Sequence, residues 1–240
     1  MARLANKVAI VTGGSGAIGS TTAKLFLDEG AKVVLVDING EALEKVASEL
    51  NSPNVSYVAA DVSKAVDVQR YVQHAVSTFG KIDIFFNNAG IEGVVKPITE
   101  YPEDAFDKLI GVNVKGVWLG IKYVLPEMND GGSIINTSSV AGLMGYGSMS
   151  AYVTSKHAVI GLTRTAALEA APRGIRVNSI HPAPVDNRMM RSLEEGFAPG
   201  EGETVKKGFE ATIPLGRYAT NDDIAKGVLF LASDDSKFIT

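Results

Sequence analysis

Lys7-Val8-Ala9-Ile10-Val11-Thr12-Gly13-Gly14-Ser15-Gly16-Ala17-Ile18-Gly19 is an apolar, β-branched run that ends in a glycine-rich turn and passes into a helical pattern. Glycines at a strand-to-helix turn let the backbone approach a pyrophosphate, whose charge the helix N-terminus stabilises. Taken alone, the stretch is equally compatible with a plain tight turn, because glycine-rich turns are common.

Outward from this turn, short β-branched runs alternate with amphipathic ones. Strands are expected at Lys7–Thr12, Lys32–Val36, Val55–Ala60, Ile82–Phe86, Ser133–Ser138 and Ile175–Ile180. Helices are expected at Ile18–Glu29, Glu41–Leu50, Ala65–Phe79, Glu103–Met128 and Ala151–Ala171. Such alternation predicts an α/β fold, a doubly wound parallel sheet of Rossmann type with helices on both faces. No linker or repeat interrupts it, so residues 1–240 read as one domain. The exception is Pro182–Leu215, which holds four prolines together with Met189, Met190, Leu193 and Phe197. Its apolar content favours a lid with short helices over a disordered insert.

Composition narrows the function. The 240 residues are 45% hydrophobic, enough for a substantial core, and the net charge of −4 offers no basic field for nucleic acid or an anionic membrane. Cysteine is absent, which excludes disulfides, thiolate metal sites and a cysteine nucleophile. His74, His157 and His181 are scattered without metal-binding spacing, so no metal is expected. Met1–Lys7 lacks the apolar segment that export needs, and a cytoplasmic protein is expected. The uncharged stretch Gly131–Ser155 is too rich in Ser, Gly, Thr and Asn to span a membrane.

Asp37 closes the second strand at the spacing where a carboxylate accepts hydrogen bonds from a ribose. With no Arg or Lys in the glycine turn or directly after Asp37, a 2'-phosphate would meet a bare negative charge, so NAD is the expected cofactor. An ordinary helix-capping role for Asp37 is the blander alternative. Tyr152 and Lys156 lie four apart in a helical pattern and share a face. About 0.4 such pairs are expected by chance, so this pair is weak evidence by itself. Ser138 and Ser139 sit at the C-terminal end of a predicted strand, the edge where doubly wound sheets bind ligands.

In order along the chain, the glycine turn, Asp61-Val62, Asn87-Asn88-Ala89-Gly90, Asn113, Ser139, Tyr152 and Lys156 resemble the short-chain dehydrogenase/reductase family over essentially the whole length. The resemblance implies Tyr152 as general acid/base, Ser139 as the donor orienting the substrate oxygen, and Lys156 on the nicotinamide ribose. It implies Asn113 as a backbone kink holding a water relay to Lys156. On the cofactor side it implies Gly13, Ser15, Gly16, Ala17, Ile18, Gly19, Asp37, Ile38, Asp61, Val62, Asn88, Ala89 and Gly90, with Asp61 and Val62 flanking adenine. Tyr152, Lys156, Pro182, Val185 and Asn187 complete that side. A tyrosine near pKa 10 needs roughly 4 kcal/mol of preferential phenolate stabilisation to reach neutrality, which neighbouring cations provide.

Several positions depart from the family pattern. Ala17 stands where a glycine is usual, and a left-handed backbone there would cost alanine about 1 to 2 kcal/mol. Ala17→Gly is therefore expected to tighten NAD binding. Ala183 follows Pro182 where the family has glycine, Asn187 replaces a threonine that contacts the nicotinamide amide, and Asn221 replaces a helix-starting proline. The sequence stops at Thr240, where the family continues into a final edge strand, so that strand is expected to be missing and a tetramer is a weaker expectation than an oligomer. The apolar face around Val112, Val117, Trp118 and Ile121 reads as core or subunit contact.

The expected activity is NAD(H)-dependent interconversion of a secondary alcohol and its ketone. The expected pocket comprises Ile91, Val94, Val95, Leu143, Met144, Tyr146, Met149, Met189, Met190 and Leu193, an apolar set suited to a hydrophobic or cyclic small molecule. Alternatives are a 3-oxoacyl-acyl-carrier-protein reductase, against which Asp37 speaks, and an NAD-binding sensor or structural subunit without turnover.

Overall fold

Alternate residues of each apolar run face opposite sides of a sheet, and here both sides are covered. The structure, a computed structural model, describes residues 2–240. Among them β1 (Val8–Thr12), β2 (Lys32–Asp37), β3 (Val55–Ala59), β4 (Ile82–Asn87), β5 (Met128–Thr137) and β6 (Arg176–Ile180) form one sheet, in the order β3-β2-β1-β4-β5-β6. Every pairing is parallel. The helices are α1 (Ala17–Asp28), α2 (Gly40–Leu50), α3 (Ala65–Phe79), α4 (Glu103–Ile110), α5 (Val117–Val124), α6 (Ser150–Ala170), α7 (Arg188–Phe197), α8 (Gly202–Thr212) and α9 (Asn221–Ala232).

Ile10, Val34, Phe85 and Ile134 pack with Val68 and Tyr71 of α3, Val117 of α5 and Val159 of α6. Their neighbours in sequence, Val11, Leu35, Phe86 and Ile135, pack on the opposite face with Phe26 of α1, Leu43 of α2 and Val228 of α9. This two-sided burial is why the strands read as continuous apolar runs. The fold is a single Rossmann-type domain, as the alternation predicts. Because the sheet is parallel, all strands end at one edge, and the order in which strands are added reverses between β1 and β4, opening a crevice there.

One segment differs from the sequence expectation. The single helix expected over Glu103–Met128 is interrupted by a π-helical turn at Gly111–Gly116 and ends in a 3-10 turn at Leu125–Glu127, which contains Pro126. Met128 already belongs to β5. The Pro182–Leu215 segment contains two helices that pack on each other, with the rings of Phe197 and Phe209 edge to face at 5.8 Å. Asn221 does open a helix, and Thr220 supplies the cap: its hydroxyl accepts from the Asp223 N–H (3.1 Å) while the Asp223 carboxylate accepts from the Thr220 N–H (2.8 Å). No helix among the described residues is long and apolar enough to cross a membrane. Along the edge strand β6, the Val177 N–H donates to Thr240 Oγ1 (3.0 Å) and Asn178 Nδ2 donates to the Ile239 carbonyl (2.8 Å).

Candidate active site

A cleft of about 610 Å³ opens at the strand C-termini, over the crevice between β1 and β4. Its floor is tied together by Thr12. The Thr12 hydroxyl accepts the N–H groups of Asn88 (2.9 Å) and Ala89 (3.0 Å), and Asn88 Nδ2 donates to the Thr12 carbonyl (3.0 Å). Thr137 Oγ1 donates to Asn88 Oδ1 (3.1 Å), which adds the end of β5 to the same network.

One wall is the glycine turn. Gly13 has φ +66°, and a Cβ on Gly19 would collide with the Gly13 carbonyl, so both positions require glycine. Gly16 caps α1 without a side chain, and no acidic residue occupies the first turn. The N-terminal N–H groups of α1 are therefore free for an anion. Asp37 stands opposite, its carboxylate accepting from the Ser15 N–H (3.2 Å) and the Asn39 N–H (3.4 Å). Gly13, Ser15, Gly16, Ala17, Ile18, Gly19, Asp37, Asn88, Ala89 and Gly90 all line the cleft, as do Pro182, Val185 and Asn187. Donors, helix terminus and carboxylate fit a nicotinamide dinucleotide.

The strained alanine expected at position 17 is not found. Ala17 is the first residue of α1, and in the turn only Gly13 has positive φ. The left-handed position of this turn is thus already held by a glycine. At the other end, Asn187 Oδ1 caps α7 by accepting from the N–H groups of Met189 (3.0 Å) and Met190 (3.4 Å), which leaves its amide N–H groups as donors at the cleft. Asp61 and Val62 are not among the lining residues. The Asp61 carboxylate instead accepts from the N–H (3.0 Å) and hydroxyl (2.7 Å) of Ser63, and Val62 is buried against Gly116. Both follow β3, two strands away from the crevice. Ile38 is exposed beside Asp37 and does not line the cleft either.

Ser139, Tyr152 and Lys156 line the same cleft. Ser139 follows β5, and its hydroxyl accepts from the Ala141 N–H (3.1 Å). Behind it, His181 is satisfied on both ring nitrogens, 3.2 Å from the Ser139 carbonyl and 2.8 Å from Ser179 Oγ. Lys156 donates to the Thr137 carbonyl (2.9 Å). Asn113 lies in the π-helical turn, where its side chain bonds both backbone groups of Ile91 (2.9 Å each) and Nδ2 donates to Ser155 Oγ (3.2 Å). A π-turn is a frequent device for aiming one side chain out of a helix. Burial pushes the Tyr152 hydroxyl up to about 12, opposed by the Ser139 hydroxyl and reinforced by the Glu92 carboxylate. Burial also brings the Lys156 ammonium down to about 8.

Of the expected pocket residues, Tyr146, Met149, Met189, Met190 and Leu193 line the cleft. Ile91, Val94, Val95, Leu143 and Met144 do not. Ile91 is held by Asn113, Val95 packs beneath α7 near Gly196, and Val94, Leu143 and Met144 are exposed on the rim. Sequence reasoning missed Phe209, Arg188 and Asn39, all of which line the cleft. For Phe209 a signal existed, since Val205, Phe209 and Ile213 fall at helical spacing.

Known proteins resemble this chain over nearly its whole length. A family model described as enoyl-(acyl carrier protein) reductase matches residues 13–240. Levodione reductase of Leifsonia aquatica is 38% identical, over 99% of this chain and 91% of its own length. A crystal structure of levodione reductase, 37% identical, has a TM-score of 0.96 and covers 99% of this chain and 95% of that one. Cyclohexanol dehydrogenase of Acinetobacter sp. strain SE19 is 40% identical, over 98% and 91% of the two chains. The crystal structure of an NAD+-bound xylitol dehydrogenase, 36% identical, has a TM-score of 0.93, with 99% and 96% covered.

Proposed function

The chain belongs to the short-chain dehydrogenase/reductase family of oxidoreductases, and from that premise we propose that it interconverts a secondary alcohol and its ketone with NAD(H), on an apolar or cyclic substrate. The observation that carries this reading is one cleft holding both sets of groups: Ser139, Tyr152 and Lys156 beside a glycine turn faced by Asp37. The names of the relatives, a levodione reductase and a cyclohexanol dehydrogenase, support a cyclic substrate. So does the lining of Val140, Met149, Met189, Met190, Leu193 and Phe197.

The dinucleotide, when bound, supplies the hydride acceptor or donor and, in its oxidised form, a positive ring. The chain's own residues handle the oxygen and its proton. Ser139 Oγ–H donates to the substrate oxygen and fixes it next to Tyr152. In alcohol oxidation the Tyr152 phenolate takes the hydroxyl proton; in reduction the phenol returns it. Lys156, anchored on the Thr137 carbonyl, lowers the cost of the phenolate through its field. Asn113 holds the Ile91 backbone, and we assign it the relay position beside Lys156; a Cβ on Gly90 would lie within 3.3 Å of Asn113 Oδ1 and 3.7 Å of Lys156 Nζ. Residues 182–215 act as the lid through α7 and α8. The reading also makes the chain a cytoplasmic homo-oligomer, tetramer preferred, with the half-exposed Trp118 on α5 supporting a subunit contact.

The test is NADH oxidation with a panel of cyclic and aryl ketones, with NADPH in parallel and Tyr152→Phe as control. Turnover is expected with NADH and to be lost in the variant. Equal rates for the two proteins would refute the mechanism, and NADPH at parity would overturn the cofactor assignment.

A further inference from the structure

One buried ring touches both helices that wall the substrate end of the cleft. Tyr218 lies between α8 and α9 in the chain and is only 3% exposed. The Arg191 guanidinium, on α7, stands 5.8 Å from the centre of its ring, and the Lys206 ammonium, on α8, stands 5.5 Å from it. At both distances a cation is attracted by the ring face. The same two cations share Asp186: Arg191 Nη2 donates to Oδ1 (2.5 Å), and Lys206 Nζ is 3.6 Å from Oδ2. The buried Glu194 carboxylate orients the guanidinium further, accepting from Arg191 Nη1 (2.7 Å).

Tyr218 is itself fixed through backbone. Its carbonyl accepts from Arg217 Nη1 (2.8 Å). The next residue, Ala219, pairs with the chain after β6: its N–H donates to the Pro184 carbonyl (2.9 Å), and its carbonyl accepts from the Asp186 N–H (2.8 Å). The ring is therefore anchored to the body of the domain, while the helices it holds carry Met189, Met190, Leu193 and Phe197 of α7 and Phe209 of α8 into the cleft. A second tie runs from Arg188 of α7 to the Glu92 carboxylate, at 2.9 and 3.3 Å. Its arginine side chain is 76% exposed, and a pair in that setting holds little.

Resting on the function proposed above, we propose that Tyr218 is a positioning residue for substrate: its ring, through Arg191 and Lys206, sets where α7 and α8 stand over the cleft and so how well a ketone fits. Tyr218 does not line the cleft, so it acts through the two helices. The ring face carries the role and the hydroxyl does not, because the buried Tyr218 hydroxyl has no hydrogen-bond partner among the described residues and its removal breaks no bond. The cofactor side is held separately. Asn187 follows Asp186, whose N–H is tied to the Ala219 carbonyl whatever side chain stands at 218. Loss of the ring therefore loosens the substrate wall and leaves the dinucleotide site in place.

The test uses Tyr218→Leu, Tyr218→Phe, Lys206→Met and the Tyr218→Leu/Lys206→Met double variant of the full chain, with the cyclic ketone of highest kcat/KM in the panel. In Tyr218→Leu the KM for ketone is expected to rise about two- to fivefold, the range for loss of one cation–π contact. Its kcat and its NADH dissociation constant should stay within about twofold, the split that marks lost substrate binding. Tyr218→Phe, which keeps the ring, should match the unsubstituted protein. Lys206→Met should raise KM in the same direction, and the double variant should go no further than Tyr218→Leu, since both changes remove one contact. Amide hydrogen exchange over residues 188–212 should be faster in Tyr218→Leu and Lys206→Met and unchanged in Tyr218→Phe. A Tyr218→Phe variant as impaired as Tyr218→Leu, an additive double variant, or NADH affinity lost in step with KM would each overturn the role. If Tyr218→Leu does not fold, an unmoved KM in Lys206→Met overturns it alone. Absence of ketone turnover in the unsubstituted protein would instead defeat the functional reading; exchange would then decide, and unchanged exchange in Lys206→Met would show that the ring does not hold the helices.

Discussion

Lys156 Nζ lies 5.5 Å from the centre of the Tyr152 ring and spends a hydrogen bond on the Thr137 carbonyl at the end of β5. The ammonium therefore acts on the phenol through space, from a position the sheet fixes. Tyr152→Phe is expected to lower kcat by at least about 10²-fold, the usual size of a general acid/base contribution. NADH affinity, measured by cofactor fluorescence, should hardly move. A parallel loss of binding would show that the phenol serves the cofactor rather than the proton.

Burial of these two groups makes stability depend on pH in opposite directions. The folded Lys156 titrates near 8, below its ordinary 10.5, so between those values the unfolded chain binds more protons and stability rises with pH. The full cost, about 3 kcal/mol at most, is present below pH 8. The folded Tyr152 titrates near 12, above its ordinary 10, so above pH 10 the folded chain holds the extra proton and stability falls. Urea midpoints of the cofactor-free protein should climb from pH 8 to 10, and Lys156→Met should flatten that climb.

In the proposed reading Asp37 receives the adenosine ribose, and no described ion pair involves its carboxylate, which accepts from the Ser15 and Asn39 N–H groups. Asp37→Ser keeps an acceptor for the Ser15 N–H and removes the charge. The ratio of kcat/KM for NAD over NADP should fall at least about tenfold, or 1.4 kcal/mol. A ratio that does not change would place cofactor choice elsewhere.

The glycine turn yields a contrasting pair. Gly19→Ala drives a methyl into the Gly13 carbonyl and should cost about 1 to 3 kcal/mol in folding or cofactor binding, read by thermal unfolding with and without NADH. Ala17→Gly should leave NAD affinity where it was, because Ala17 sits in ordinary helical geometry, and should only weaken the start of α1 by less than about 1 kcal/mol.

Phe197 and Phe209 pack edge to face and both line the cleft. Phe197→Ala should raise kcat/KM for bulkier ketones relative to cyclohexanone, measured as a ratio so that any general loss cancels. A ratio that stays constant would remove this pair from substrate selection.

Much of this was legible from residue order. Periodicity placed six strands within a few residues of their observed bounds, since two-sided burial leaves an unmistakable apolar run. The main exception was β5, which begins at Met128 rather than Ser133. Ser139, Tyr152 and Lys156 are local in the chain and land in one cleft because β5 and α6 are consecutive elements. The rim was not legible. Leu143 and Met144 are apolar and close in sequence to Ser139, yet they are exposed, while Tyr146 and Met149 of the same loop line the cleft.

Periodicity by itself determined the parallel α/β architecture, because two-sided burial repeats along the chain, while the glycine turn and the acid/base set came as expectations from a family resemblance, since each motif alone is common. Only the tertiary structure decided that Ala17 is unstrained, that Asp61 turns to Ser63, that Phe209 joins the pocket and that Glu92 meets Arg188. Those depend on where separate segments come to rest against one another, and contacts between residues 96 positions apart leave no periodic trace in the order of amino acids.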